Sequence, residues 1–183
     1  MPPPDIRFCR RCGAGTVQRV PAGEDRERAV CPACDYVDYV NPTNVVGTVP
    51  TWGQDREIVL LCRRAIEPRK GLWTLPAGFL EVGETIAEGA ERETREEAGA
   101  RVEMGPLFSI LDVVTARQVH LFFLARLRDV DLHPGPETIE NRLFALDDIP
   151  WDELAFRTVR HTLECFVSDR DAGAFGLHTG TIH

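Results

Sequence analysis

Residues 78–99 carry the charge pattern that most constrains what this chain can fold into. The stretch holds seven acidic side chains and two arginines, and four of the acids are grouped around Arg92, namely Glu84, Glu93, Glu96 and Glu97. Like charges on neighbouring helical turns repel each other, so a helix with this sequence requires a counter-charge. Hard divalent cations such as Mg²⁺ take oxygen ligands. The segment therefore indicates a site for one or two such ions.

A helix is predicted over residues 86–98. Thr85 followed by Glu88 predicts a capping box at its start, and Gly99 suits the left-handed turn at its end. Small or apolar residues share one arc of this helix, which is expected to face a core: Ile86, Ala87, Ala90, Thr94 and Ala98. The arginine and three glutamates occupy the adjoining arc, where Glu97 lies nearest the apolar boundary and is expected to be the most desolvated.

The alternative is an ordinary solvated acidic face, which a lone pair of glutamates one turn apart would favour. Here seven positions match one spacing: Gly78, Glu84, Arg92, Glu93, Glu96, Glu97 and Gly99. These residues resemble the Nudix box, G-x5-E-x7-R-E-U-x-E-E-x-G-U, where U is a bulky aliphatic residue. The preceding segment 73–78 (WTLPAG) resembles the usual lead-in. Thr94 and Ala100 depart from the pattern, because a bulky aliphatic residue is usual at both positions.

The resemblance implies an α/β/α Nudix sandwich with a mixed β-sheet. It implies hydrolysis of a nucleoside diphosphate linked to another group, with Mg²⁺ or Mn²⁺ as cofactor. It also implies that Arg92 orients carboxylates by pairing with Glu84. The metal ligands would be Glu93, Glu96 and Glu97, one of which is a candidate to deprotonate the attacking water. We expect Gly78 to join the metal site through its backbone, because glycine lets backbone approach a ligand closely.

Four cysteines form a second metal-binding pattern, Cys9-x2-Cys12-x18-Cys31-x2-Cys34. Two C-x-x-C pairs at this separation are typical of a zinc site. The alternative is a pair of disulfide bonds, which requires an oxidising compartment, and residues 1–5 do not resemble a signal peptide. Four thiolates leave no open coordination position, so we expect the Zn²⁺ to be structural. Cys62 and Cys165 lie in apolar runs and are predicted to be core residues.

Charge and hydropathy narrow the choice of partners. A zinc ribbon can bind nucleic acid, but residues 1–41 hold six arginines against six acids, and the whole chain carries a net charge of −8. Nucleic-acid binders usually carry a basic stripe, and no apolar run reaches the ~18 residues of a membrane helix. We therefore expect a cytoplasmic enzyme that binds neither nucleic acid nor membrane. The alternatives are a nucleic-acid-binding ribbon module and a nucleotide sensor without catalysis.

The element pattern predicts an α+β fold in three parts: a zinc ribbon over 1–41, a Nudix hydrolase domain over 42–170 and a C-terminal tail over 171–183. Strands are predicted at 44–52, 57–63, 101–104, 107–114, 118–128 and 142–146, and a second helix at 156–168. The strand at 118–128 is apolar on both faces over its first half, which indicates a buried central strand in a sheet covered on both sides. The glycine-rich tail is expected to be loosely held or to act as a dimer arm.

Residues 133–140 contain two prolines and a glycine and are predicted to form a loop. In Nudix proteins a loop at this position often brings one more carboxylate to the metals. Glu140 is the first choice for this catalytic role and Glu137 the second, and a solvated loop charge is the alternative for either. His120, in the predicted central strand, is expected to be packed or hydrogen-bonded rather than to act as a base.

Features outside the box bear on the substrate. The SQPWPFPxS signature of NADH pyrophosphatases is absent, and Thr115 stands where many ADP-ribose pyrophosphatases carry a proline. Residues 9–182 resemble the plant chloroplast Nudix hydrolase that cleaves FAD, and its bacterial relatives, most clearly in segments 71–78, 134–137 and 142–147. This resemblance implies hydrolysis of FAD to FMN and AMP, with ADP-ribose as a second substrate. Related enzymes commonly form homodimers, so a homodimer is expected.

Overall fold

The structure, a computed structural model, describes residues 5–182. The chain divides into two compact units, and the boundary lies between Pro42 and Thr43, one residue later than the boundary predicted after residue 41. Residues 1–4 of the predicted ribbon and His183 of the predicted tail lie outside the described residues. Within residues 5–182, no helix combines the length and the apolar character required to cross a membrane.

The first unit is a small antiparallel sheet that carries the cysteine turns. Its strands are β1 (Val17–Arg19), β2 (Arg28–Val30) and β3 (Val37–Asp38), in the order β1-β2-β3. Strands of two or three residues bury little apolar surface, here mainly Ala29 and Val30. A unit of this size usually depends on disulfide bonds or a structural metal for its stability.

The second unit is a mixed sheet with a helix on each face. Its helices are α1 (Ile86–Ala98) and α2 (Arg157–Ala172), and its strands are β4 (Thr43–Trp52), β5 (Ile58–Arg64), β6 (Trp73–Thr74), β7 (Ala77–Phe79), β8 (Val102–Val113), β9 (Gln118–Leu127), β10 (Thr138–Ala145) and β11 (His178–Thr181). The strand order is β10-β5-β4-β9-β8-β11, with β6 paired to β5 and β7 to β4. Pairs β4–β9 and β8–β11 are parallel and the others antiparallel. The predicted mixed sheet is confirmed.

Alternation along β9 gives the sheet a core on both faces. Phe122 and Leu124 belong to the core that includes α2 residues Val159, Leu163 and Phe166. Phe123, between them, belongs to the core that includes Val46 and Ala90 on the α1 side. Successive side chains of a strand point to opposite faces. A strand that is apolar at consecutive positions is therefore buried on both sides, as the sequence predicted.

Helix α1 begins and ends at the predicted residues. The Glu88 amide donates to the Thr85 hydroxyl and the Thr85 amide donates to the Glu88 carboxylate, at 3.2 and 2.8 Å, which completes the capping box. Gly99 closes the helix with a φ of 63°. Thr94, which departs from the aliphatic pattern, is buried with its hydroxyl 2.7 Å from that of Thr48. The two hydroxyls satisfy each other in a place where an aliphatic side chain is usual.

The loop before β10 is fastened to the C-terminal end of α1. The amides of His133 and Gly135 donate to the carbonyls of Ala98 and Glu97 at 2.8 and 3.0 Å, and so pair two carbonyls that a helix end leaves without an internal partner. A Cβ on Gly135 would lie 1.8 Å from the Glu96 carbonyl oxygen. This approach therefore requires glycine, and it holds the loop beside the helical glutamates.

Strand β10 begins earlier than the sequence predicted. It starts at Thr138, four residues before the predicted strand at 142–146, because Thr138 and Glu140 pair with Arg64 and Arg63 of β5 across a bulge. Glu140 therefore lies in a strand and not in the preceding loop.

The C-terminal segment also differs from the loosely held tail that was expected. Residues 178–181 form β11 and pair in parallel with β8. Phe175 stacks on Phe166 of α2 with 5.5 Å between ring centroids, and His178 Nε2 lies 2.8 Å from the carboxylate of Asp169. The glycines of this segment predicted a loosely held tail, whereas these contacts with distant residues hold it in place.

We predict that Gly135→Ala destabilises the protein by about 1–3 kcal/mol, the usual range for an overpacked contact, because the new methyl group would displace the loop from α1. The free energy of unfolding in urea measures this effect. Gly176→Ala is the matched control, since a Cβ at Gly176 meets no atom within 4 Å. Equal unfolding free energies for the two variants would contradict the loop contact.

Candidate active site

A cavity of about 910 Å³ opens where the sheet meets the start of α2. Neighbouring strands β7, β4 and β9 contribute to its lining. Phe79 of β7 pairs with Val45 of β4, and Val45 pairs with His120 of β9. Its charged lining residues are Glu67, Glu81, Glu93, Glu96, Glu97, Glu137, Arg64, Arg69, Arg92 and Arg157. A cavity of this volume is of the size that binds a small molecule, and its mixture of carboxylates and arginines suits metal ions together with an anionic ligand.

Glycine at position 78 lets the Glu93 carboxylate lie against the backbone of β7. A Cβ on Gly78 would lie 2.4 Å from the carboxyl carbon and both oxygens of Glu93. Burial raises the pKa of Glu93 above its usual value. Every residue other than glycine at position 78 would displace this carboxylate.

Arg92 joins three glutamates. Its Nε and Nη2 donate to the two carboxylate oxygens of Glu84 at 2.9 and 2.7 Å, and its Nη1 donates to Glu93 and Glu96 at 2.7 and 3.2 Å. Nη2 also donates to the Phe79 carbonyl at 3.1 Å. Hydrogen bonds from Arg92 lower the pKa of Glu84 to about 2. The Arg92–Glu84 pair that the resemblance implied is formed, and Arg92 supplies part of the counter-charge of the cluster.

Glu97 is the most buried of the carboxylates that line the cavity. It is 8% exposed, and its carboxylate accepts one hydrogen bond from the Ala77 amide at 3.1 Å. Burial raises the pKa of Glu97 to about 8, and the charge of Glu93 acts in the same direction. The prediction that Glu97 is the most desolvated helical glutamate is confirmed. A buried carboxylate of this kind gains more from a nearby cation than an exposed one does.

The oxygen donors in this cavity fit Mg²⁺ or Mn²⁺. Glu93, Glu96, Glu97 and the backbone at Gly78 supply only oxygen atoms, which hard cations prefer, and the absence of a side chain at Gly78 keeps the backbone accessible. The carboxylates do not converge as tightly as a filled site requires: within residues 5–182, the four cysteines are the group whose ligand atoms all lie within 4.8 Å. Because Arg92 bridges Glu93 and Glu96, a cation held by them competes with these arginine contacts.

The structure brings Glu137 to the cavity and leaves Glu140 outside it. Glu137 lines the cavity, and its charge adds to the rise that burial causes in the pKa of Glu93 and Glu97. Glu140 is not among the lining residues. It lies opposite Arg63 of β5, with 3.8 Å between Arg63 Nη1 and its carboxylate, and it also pairs with an arginine of its own strand. The early start of β10 therefore places the second-choice residue, and not the first, beside the helical glutamates.

The first unit gathers its four cysteines around one point. The Sγ atoms of Cys9, Cys12, Cys31 and Cys34 lie within 4.8 Å of one another, with 3.7 Å between Cys9 and Cys34 and 3.5 Å between Cys12 and Cys31. A tetrahedron with the usual Zn–S length of about 2.3 Å has edges of about 3.8 Å. All six cysteines of the chain are free thiols. The four ribbon thiols therefore fit Zn²⁺, and they do not form the alternative disulfide bonds.

Sequence reasoning missed the residues on the rest of the cavity lining. Arg64, Arg69, Arg157, Gln118 and Ile182 all line it. They lie on separate segments of the chain, so no motif spacing connects them.

Comparison with models of protein families gives two matches. Residues 41–163 match the model described as NUDIX domain. Residues 7–40 match the Nudix zinc-ribbon model described as Nudix N-terminal. The two matched ranges meet close to the boundary between the two structural units.

Individual relatives cover much of the chain. The crystal structure of a NUDIX hydrolase from Nitrosomonas europaea is 43% identical, covers 97% of this chain and 99% of that chain, and has a TM-score of 0.92. An ADP-ribose pyrophosphatase from Streptococcus suis 89-1591 is 27% identical, covers 78% and 100%, and has a TM-score of 0.58. The NAD-capped RNA hydrolase NudC of Stutzerimonas stutzeri (strain A1501) is 30% identical over 168 residues, which are 90% of this chain and 57% of that protein. The chain thus spans little more than half the length of this curated relative.

We predict that the purified protein holds about one zinc ion per chain and that Cys31→Ser lowers this content to near zero, because the loss of one thiolate opens the tetrahedral site. Elemental analysis measures the metal directly. Cys165→Ser is the control, since Cys165 lies on α2 outside the ribbon, and it is expected to retain the zinc. Full zinc content in Cys31→Ser would contradict the four-cysteine site.

We predict that Glu97→Gln stabilises the protein at alkaline pH when no Mg²⁺ or Mn²⁺ is added. The folded pKa of about 8 lies above the usual value of 4.5, so the unfolded chain releases this proton at a lower pH than the folded chain. The stability linked to the neutral carboxyl is therefore complete below pH 4.5 and is lost as the pH rises to about 8. The loss amounts to about 1.4 kcal/mol for each unit of pKa difference, and glutamine, which does not ionise, removes it.

Urea unfolding across this pH range measures the difference between Glu97→Gln and the parent. Glu96→Gln is the matched control, because it removes the same charge from an exposed position on the same helix. Its stability is expected to follow that of the parent. If Glu97→Gln lost stability with rising pH as steeply as the parent does, Glu97 would not be the group that titrates.

Proposed function

The chain belongs to the Nudix hydrolase family and carries the N-terminal zinc ribbon found in that family, and from this premise we propose that it uses Mg²⁺ or Mn²⁺ to cleave the diphosphate of an adenine-containing molecule. The favoured substrates are FAD, which yields FMN and AMP, and ADP-ribose, which yields AMP and ribose 5-phosphate. The observation that carries the proposal is the lining of one cavity by Glu93, Glu96 and Glu97 of the Nudix box together with arginines from other segments.

In this proposal the helical glutamates serve as the metal site. Glu93, Glu96 and Glu97 would hold the cations together with the backbone at Gly78, and a bound divalent cation neutralises diphosphate charge and lowers the pKa of a water molecule. Arg92 orients two of these carboxylates through its bonds of 2.7 and 3.2 Å. Phosphoryl transfer depends chiefly on positioning and charge stabilisation. The chain itself therefore contributes fixed carboxylates and guanidinium groups, and no covalent intermediate is required.

We assign to Glu137 the role of general base, which accepts the proton of the attacking water. The loop that carries it is held against α1 by the Gly135 amide, so its carboxylate is placed by backbone contacts. In the reaction the water oxygen forms a bond to one phosphorus, and the bridging P–O bond breaks. The proton passes to the Glu137 carboxylate, and the leaving phosphate keeps the electron pair of the broken bond.

A second candidate substrate is NAD, free or at the end of an RNA. Similarity to the NudC protein of Stutzerimonas stutzeri, an NAD-capped RNA hydrolase, favours this candidate, although this chain covers only 57% of that protein. The missing SQPWPFPxS signature ranks it below FAD and ADP-ribose. The net charge of −8 also disfavours extended contacts with RNA phosphates.

Two expectations from the sequence stay predictions beside this proposal. Light scattering would test the homodimer that is common among related enzymes. Cell fractionation would test the cytoplasmic location.

Product analysis tests the proposed reaction. The protein is incubated with FAD, ADP-ribose, NAD, NADH or NAD-capped RNA in the presence of Mg²⁺ or Mn²⁺, and the products are separated by chromatography. Formation of AMP with FMN or ribose 5-phosphate supports the favoured substrates. Faster release of nicotinamide mononucleotide, with AMP from the free dinucleotide or with a 5′-monophosphate RNA from the capped RNA, supports the second candidate. Absence of cleavage in every reaction would overturn the proposal.

We predict that Glu137→Gln lowers kcat by about 10²–10⁴, the range typical of a lost general base, whereas Glu140→Gln leaves kcat within a few-fold of the parent. The two substitutions make the same chemical change three residues apart, on opposite sides of the cavity boundary. Steady-state kinetics on the substrate identified by product analysis measures both. A large loss in Glu140→Gln with little loss in Glu137→Gln would return the role to Glu140.

A further inference from the structure

The cavity extends along the sheet well beyond the glutamates. From Gly78 and Phe79 on β7, the register crosses β4 at Val45 and reaches β9 at His120. Two strand spacings separate these ends by about 10 Å. This span is comparable to the distance from the phosphorus of a nucleoside monophosphate to the far edge of its base. A diphosphate held at the glutamates therefore places a base near β9.

Two polar side chains stand at that end of the cavity. Gln118 and His120 both line it, they lie on the same face of β9, and the Gln118 Oε1 and His120 Nε2 atoms are 3.0 Å apart. Burial lowers the pKa of His120 to about 4, so its ring is neutral and carries one N–H. Since the partner atom is the oxygen of an amide, Nε2 holds that hydrogen and donates it to Gln118.

The other ring nitrogen of His120 fixes this arrangement. Within residues 5–182, Nδ1 is buried and has no hydrogen-bond partner. If the tautomer reversed, Nδ1 would become a buried N–H without an acceptor, which proteins rarely tolerate. His120 therefore keeps its hydrogen on Nε2, and the amide of Gln118 is held with its oxygen toward His120. The amide cannot turn over without creating a buried unpaired donor or opposing two N–H groups.

The surroundings of this pair suit a flat ring with one polar edge. Val113 of β8 pairs in register with Gln118. Val45, Ala116 and Ile182 also line the cavity, and the Ile182 amide is held by the Asp112 carbonyl at 2.8 Å. Apolar side chains cover the faces of a base, while an amide pairs with its edge.

We propose that Gln118 reads the adenine edge of the substrate, and that His120 is a positioning residue that fixes the direction of the Gln118 amide. Adenine presents its amino group as a donor beside a ring nitrogen as an acceptor, which complements an amide oxygen beside an amide N–H. On the Watson–Crick edge, hypoxanthine presents the reverse order, an acceptor oxygen beside a ring N–H, and would require the amide to turn over. This inference rests on the proposed function, because it takes the diphosphate site as the fixed end of the substrate.

Binding of AMP and IMP tests the proposal without depending on turnover. Calorimetry on the protein with Mg²⁺ gives both dissociation constants, and the parent is expected to bind AMP roughly tenfold to a hundredfold more tightly than IMP. Gln118→Glu, which keeps the side-chain shape but loses the donor, is expected to bring the two constants close together, because an ionised carboxylate only accepts hydrogen bonds and each base edge offers it one donor. His120→Ala is expected to bring the two constants close together, because the amide is then free to turn.

Thr115→Ala is the matched control, since Thr115 lines the same end of the cavity and is expected to keep the parent's ratio. Thermal unfolding shows whether each variant is folded. Equal binding of AMP and IMP by the parent, an unchanged ratio in Gln118→Glu, or no binding of AMP would overturn the proposal.

Turnover of FAD and ADP-ribose by the same preparations assesses the proposed function separately. Cleavage without a preference for AMP over IMP overturns the proposed recognition of adenine by Gln118 and leaves the diphosphatase proposal in place. A preference for AMP without cleavage of any substrate supports the proposed recognition of adenine and overturns the diphosphatase proposal.

Discussion

The repulsion among the glutamates of α1 is the constraint on which the rest of the catalytic unit depends. Arg92 offsets it through hydrogen bonds to Glu93 and Glu96, and its two further bonds to Glu84, just before the helix, lower the pKa of Glu84 to about 2. Arg92 does not reach Glu97, which burial leaves with a pKa of about 8. The cluster is therefore only partly neutralised by the protein, and the part that remains, deep in the cavity, is where a divalent cation gains the most.

Two glycines allow close backbone contacts that position the carboxylates of the site. At Gly78 the missing side chain lets Glu93 lie against β7, and at Gly135 it lets the loop before β10 lie against the end of α1. The first contact brings backbone and carboxylate together and the second brings two backbone segments together, both closer than a Cβ would permit. Because the second contact holds the loop against the helix, backbone packing brings Glu137 to the helical glutamates.

Local patterns account for the parts of the molecule that the sequence predicted well. The capping box of Thr85, the turn at Gly99 and the spacing of the four cysteines are each set by residues close together in the chain. The choice between Glu137 and Glu140 depends on a bulge between β10 and β5, and the order of the tail depends on the Phe175–Phe166 stack. Both are contacts between distant residues, so composition and periodicity over a short window carry no information about them.

The proposed reaction and the proposed base recognition use different parts of the second unit. The diphosphate end is built mainly from α1 and β7, where a continuous motif supplies Arg92 and the helical glutamates, so the class of reaction is readable from the sequence, while Glu137 comes from the loop before β10. The base end is built from β8, β9 and the segment after β11, which come together only through strand pairing. Gln118 and His120 can change there without disturbing the bonds of Arg92. A fold organised in this way keeps one reaction while the partner of the diphosphate varies, which is why the family assignment alone does not determine the substrate.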